Sequence, residues 1–151
     1  MNIFVSCSSS DKISDEYKVV TRFLMENISK DNDLVFGCAN RGLMGICYNE
    51  FLKNNRKITG VCYEIYKSDL EGLKLDEVHM VKTLEESNRF LEEYADIILI
   101  LPGAFGTLSE FIDILEHKRT KLHNKEMIIF NINGFYDDLI NMFNKIYKKV
   151  F

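Results

Sequence analysis

The sequence predicts a three-layer α/β sandwich built on a mainly parallel sheet, and three observations predict it. Short apolar runs alternate with helical patterns along all 151 residues. Several of those runs are continuously apolar, as strands covered on both faces tend to be. Glycine-containing loops directly follow two of them, at the position where parallel α/β sheets gather their ligands. The repeated βα order makes the fold class Rossmann-like, because right-handed crossovers through helices are the normal way to join parallel neighbours. A chain of this length corresponds to one domain over 1–151 with one core.

Taken in order, the predicted strands are Asn2–Ser6, Asp33–Gly37, Ile58–Cys62, Val78–Val81, Ile97–Leu101 and Met127–Asn131. Between them apolar residues recur at helical spacing. The first helix presents Tyr17, Val20, Phe23, Leu24 and Ile28, and the second Leu43, Ile46, Cys47 and Phe51. The later helices present Leu84, Leu91 and Tyr94, then Leu108, Phe111, Ile112 and Leu115, then Leu139, Ile140, Phe143, Ile146 and Tyr147.

Composition narrows the function. Hydrophobic residues make up 46% of the chain and charged residues 28%, which is ordinary for a folded soluble domain and excludes collagenous, disordered and coiled-coil classes. A formal charge of -4 argues against extended contact with nucleic acid and favours a small-molecule partner. The run Ile97–Leu101 is far shorter than the roughly 20 residues of a membrane helix, so no membrane partner is expected. The start reads as a strand without a basic leader, so a cytoplasmic location is expected. Cys7, Cys38, Cys47 and Cys62 lack metal-ligand spacing and are read as reduced thiols. His79, His117 and His123 also lack such a pattern, and His117–Lys118–Arg119 fits a helix end where cations complement the dipole. No metal is expected.

Two loops carry candidate chemistry. The first, Gly37–Cys38–Ala39–Asn40–Arg41–Gly42–Leu43–Met44–Gly45, runs from a strand into a helix start, where backbone amides and the dipole favour an anion. It fits equally a tight turn made possible by Gly37 and Gly42. The second is Pro102–Gly103–Ala104–Phe105–Gly106–Thr107–Leu108–Ser109–Glu110. Its amides and the Thr107 hydroxyl are placed to ring a phosphate, with the Glu110 carboxylate one turn further on, suited to the cationic sugar carbon of glycosidic cleavage. Thr107–Leu108–Ser109–Glu110 also fits a capping box, and local sequence favours that assignment. Phe105, between two loop glycines, is read as a contact to a base or partner subunit, or as a loop anchor. GxGxxG and Walker lysine patterns are absent, so neither NAD nor ATP is implied.

Together the two loops resemble the LOG family of cytokinin riboside 5'-monophosphate phosphoribohydrolases, whose older label is lysine decarboxylase. The family pattern is GGGxxGLMG followed by PGGxGTxxE. Similarity also touches Ser8–Ser9, Ala95–Asp96 and Asn133–Gly134–Phe135–Tyr136. The resemblance implies a homodimeric, cofactor-free hydrolase that cleaves the N-glycosidic bond of a purine nucleoside 5'-monophosphate, possibly N6-modified, to free base and ribose 5-phosphate. By position, Glu110 matches the catalytic Glu, while Ser8, Gly42, Gly45, Gly103, Gly106 and Thr107 match substrate and phosphate positions.

Departures from the pattern define a rival. Ser87 occupies the family's catalytic Arg position, and Cys38–Ala39 and Ala104 replace glycines. Arg89 is two residues on, rotated by about 200° to the face carrying Glu85, Glu92 and Glu93, where a salt-bridge role is expected. Arg41 is the candidate compensating cation. Without compensation, the chain is a nucleotide-binding sensor or carrier of weakened or no turnover.

Overall fold

The structure, a computed structural model, describes residues 1–150. From the N-terminus, β1 (Asn2–Ser6) leads to α1 (Asp15–Ile28), β2 (Asp33–Phe36), α2 (Gly42–Lys53) and β3 (Ile58–Tyr63). A short helical segment, Glu64–Leu70, connects to β4 (Glu77–Val81). Then come α3 (Leu84–Tyr94), β5 (Ile97–Ile100), α4 (Phe105–Arg119), β6 (Glu126–Ile129) and α5 (Asp137–Val150). Every predicted strand is present, with ends shifted by a residue or two.

All five strand pairings are parallel, and the sheet runs β4-β3-β2-β1-β5-β6. Alternation along β1 distributes the core: Ile3 and Val5 pack with α1 and α2, whereas Phe4 packs on the opposite side with α3, α4 and α5. Both faces are therefore covered, which explains the continuous apolar runs. On α1 the buried stripe is Thr21 and Met25 flanked by Tyr17, Val20, Leu24 and Ile28. Phe23 was expected in that stripe and is exposed, since it lies about 100° around the helix from Leu24. Ile112, Ile146 and Tyr147 also lie outside the core.

The chain order reverses between β1 and β5, which are neighbours although four strands lie on one side of β5 and one on the other. Such a switch point opens a crevice at the carboxyl ends of the two strands. Ser8 N–H donates to the Pro102 carbonyl at 3.0 Å, and Tyr136 Oη donates to the Leu101 carbonyl at 2.7 Å, fixing the loops on either side. No described helix is long and apolar enough to cross a membrane. The four cysteines are buried free thiols.

Candidate functional site

A cavity of about 400 Å³ opens at this switch point. Ser6 and Ser8–Ser10 enter it from the end of β1, Gly37, Ala39, Arg41 and Met44 from the first loop, and Ala104, Gly106, Thr107, Ser109 and Glu110 from the second. Ser87 and Asn88 on α3, with Tyr63 at the end of β3 and Tyr66 and Asp69 after it, complete most of the wall. The two loops therefore converge on one space, but they do not contribute alike.

At the start of α2 the backbone amides are already occupied. Gly42 N–H donates to Asp11 Oδ1 at 2.9 Å, and the Leu43 and Met44 N–H groups both donate to the Ser8 carbonyl, at 2.9 and 3.1 Å. Gly42 and Gly45 do not line the cavity. Gly42 has φ +59°, and a Cβ there would lie 2.8 Å from Ser8 and Ser10 backbone atoms; one at Gly45 would lie 2.9 Å from Asn40. These glycines serve a left-handed turn and close loop packing, because the β1–α1 loop fills the helix start before any ligand can.

At the start of α4 the situation is reversed. Ala104 is the cap residue and provides no side-chain hydrogen bond. Among the described residues, the N–H groups of Phe105, Gly106 and Thr107 meet no protein acceptor. A Cβ on Gly106 would meet nothing within 4 Å, so its backbone faces open space. The buried Thr107 side chain packs on Gly103, where a Cβ would fall 2.1 Å from Thr107 Oγ1. Gly103 thus shapes the loop rather than lining the cavity.

The capping-box assignment also gives way. The helix begins at Phe105, two residues before Thr107, so Thr107 is inside the first turn. Glu110 does not fold back to Thr107; its Oε2 accepts a hydrogen bond from Ser6 Oγ across the switch point. Burial of the carboxyl pushes its pKa up to about 7, and the Ser6 hydrogen bond is the opposing influence. A carboxyl poised near neutrality inside a cleft is suited to proton transfer or to stabilising positive charge.

The cationic side is sparse. Ser87 is buried and lines the cavity at its predicted place. Beside it Asn88 Nδ2 donates to Asp113 Oδ2 at 3.1 Å. Arg89 is exposed, and the expected salt bridge is absent: its guanidinium lies 5.4 Å from the Phe90 ring centre, and no acidic partner is among its described contacts. Arg41 lines the cavity but is paired with Asp69 at 2.8 Å, which holds its pKa above the usual arginine value. His117, at the end of α4, bonds Glu92 at 2.6 Å, and this raises its pKa. Phe105 is 88% exposed. Among the described residues, no group of three or more His, Cys, Asp or Glu is arranged to hold a metal.

Sequence reasoning missed Ser6, Asn88, Tyr63, Tyr66 and Asp69. Ser6 had a signal, a hydroxyl ending an otherwise apolar strand at the sheet centre. The Tyr63–Tyr66 edge contact, with ring centres 6.0 Å apart, had none, because the connection after β3 carries no apolar period.

Comparison with known proteins identifies a family and a shared fold. The family model described as possible lysine decarboxylase matches residues 44–151. A probable cytokinin riboside 5'-monophosphate phosphoribohydrolase of Oryza sativa subsp. japonica is 29% identical over 119 residues, 78% of this chain and 52% of the relative. An Arabidopsis thaliana cytokinin riboside 5'-monophosphate phosphoribohydrolase is 26% identical over 151 residues, covering 99% of this chain and 70% of the relative. The chain thus spans about half the length of the rice relative. The X-ray structure of TM1055 superposes with a TM-score of 0.72 at 16% identity, over 93% of this chain and 80% of that one, and shares the fold.

Proposed function

The chain belongs to the possible lysine decarboxylase family, which includes the LOG proteins, and from that premise we propose that it hydrolyses the N-glycosidic bond of a purine nucleoside 5'-monophosphate. Water adds at the ribose C1', the C1'–N9 bond breaks with its electron pair leaving on the base, and a proton passes to that base. The products are free base and ribose 5-phosphate. The observation that carries the proposal is Glu110, a carboxyl inside the switch-point cleft on the same helix as three open amides.

In this reading the Phe105–Thr107 amides and the Thr107 hydroxyl receive the phosphate at the positive end of α4. Glu110, when ionised, stabilises the oxocarbenium-like ribose or orients the attacking water. Ser8 stands beside the phosphate, and Arg41 leaves Asp69 to supply the cation that Ser87 cannot. The chain works as one domain over 1–151 and as a cytoplasmic homodimer, with the exposed Phe105 ring available for a contact to the partner subunit. No organic cofactor takes part.

The test is incubation with AMP and N6-substituted AMP, with free base followed by chromatography. Release by the wild type, reduced about 10²- to 10³-fold in Glu110→Ala, is the expected result. No release by the wild type, or equal release by both proteins, overturns hydrolysis. A second reading, a nucleotide sensor without turnover, is favoured by Ser87 at the cavity wall and by the prior pairing of Arg41 with Asp69. It predicts calorimetric binding of AMP without base release.

A further inference from the structure

Glu110 reaches across the switch point to one partner. Its Oε2 accepts from the Ser6 hydroxyl, while Oε1 receives no hydrogen bond from any described residue. Ser6 is the last residue of β1 and is 1% exposed, paired with Ile100 of β5 in the centre of the sheet. Its backbone is fixed there as well, since the Leu101 N–H donates to its carbonyl at 2.9 Å. A flexible glutamate side chain is thereby tethered to the centre of the sheet, with one oxygen held and the other left for chemistry.

We propose that Ser6 is a positioning residue for Glu110, fixing the carboxylate through Oε2 so that Oε1 is presented to the sugar. This proposal rests on the hydrolase reading for the identity of the group that Oε1 meets. Its physical basis is separate: a hydroxyl can donate to an ionised carboxylate, so the contact favours both one orientation and one charge state.

The surroundings leave that task to Ser6. On β1 the adjacent Cys7 is buried with its thiol pKa raised, so it stays neutral near Glu110. From α3 the facing groups are the uncharged Ser87 and Asn88. On α4 itself, Asp113 is engaged by Asn88, and across the cavity Arg41 and Asp69 neutralise each other. None of these charges shifts Glu110; burial and the Ser6 hydroxyl are the two influences on it.

Two measurements test the proposal in the full chain, using Ser6→Ala and the weaker donor Ser6→Cys. The first is carbon-13 NMR titration of the Glu110 carboxyl without ligand, assigned by its loss in Glu110→Gln. Removing the hydroxyl raises the midpoint by about one pH unit in Ser6→Ala, with Ser6→Cys between. The second is the pH profile of AMP hydrolysis. Ser6→Ala lowers kcat about tenfold with KM little changed and moves the acidic limb upward in step with the NMR midpoint. An unmoved NMR midpoint in a folded Ser6→Ala protein overturns the proposal, as does a shifted midpoint with unchanged kcat in an active enzyme. If the wild type hydrolyses nothing, the hydrolase reading fails while the NMR titration still decides whether Ser6 controls Glu110.

Discussion

The starts of α2 and α4 look alike in sequence and differ in what they offer. Each follows a central strand, contains glycines and opens a helix. At α2 the first three N–H groups are consumed by Asp11 and the Ser8 carbonyl; at α4 the first three meet no acceptor among the described residues and the cap residue is alanine. A glycine-rich helix start is therefore an anion site only when the rest of the fold leaves its amides free. The α2 start has become scaffold, holding Ser8 and Arg41 at the cavity wall. The α4 start leaves its Gly106 backbone facing open space at the cavity.

Paired glycine substitutions should break this comparison most sharply. Gly42→Ala places a side chain at positive φ and 2.8 Å from backbone atoms of the β1–α1 loop, so it should destabilise the fold by about 2–4 kcal/mol. Gly106→Ala meets nothing within 4 Å and should change stability by less than about 0.5 kcal/mol. Because its methyl stands where a ligand would approach the backbone, it should nevertheless weaken AMP binding about tenfold. Urea midpoints and calorimetry on both variants provide the check, and equal effects in either measurement would erase the distinction between the two loops.

The next effect concerns Glu110. Burial raises its folded pKa to about 7 from an ordinary 4.5, so between those values the native state holds a proton that the unfolded chain has lost. Stability therefore falls as pH rises through that window, and above it the folded protein carries the whole cost of the buried charge. Glu110→Gln removes this cost. With allowance for partial exposure to the cavity, the variant should match the wild type near pH 4 and exceed it by about 1–3 kcal/mol at pH 8. Denaturant unfolding at both pH values measures it, and a variant less stable at pH 8 than at pH 4, relative to wild type, contradicts the sign.

The strands were legible because each buried run is written contiguously, and the residues of the α4 loop because they surround one strand end. What escaped was long-range. The bond from Gly42 to Asp11 spans 31 residues and that from Ser6 to Glu110 spans 104, so no local pattern records either. The capping-box assignment failed for a related reason. Thr107 and Glu110 have the required spacing, but the helix starts two residues earlier, where the loop leaves β5. Arg89 turned away from the cleft as helical geometry requires, yet its neighbour proved to be Phe90 rather than a carboxylate, and one of the three expected partners, Glu92, is engaged by His117 from α4.

The smallest structural effect belongs to Arg41, and it separates the two functional readings. Its guanidinium and Asp69 form a partly exposed ion pair at 2.8 Å, a class of contact worth under about 1 kcal/mol. Arg41→Ala should therefore leave the unfolding midpoint nearly unchanged. If Arg41 exchanges Asp69 for the substrate phosphate, however, the variant should lose about tenfold or more in AMP affinity, because charge-assisted bonds to phosphate are stronger than neutral ones. Asp69→Asn then has the opposite sign, freeing Arg41 from its competitor and tightening AMP. Calorimetry on the two variants reads both directions, and matched losses in both would mean that the pair acts as a structural latch on the cavity wall, leaving the α4 amides to hold the phosphate without a cation.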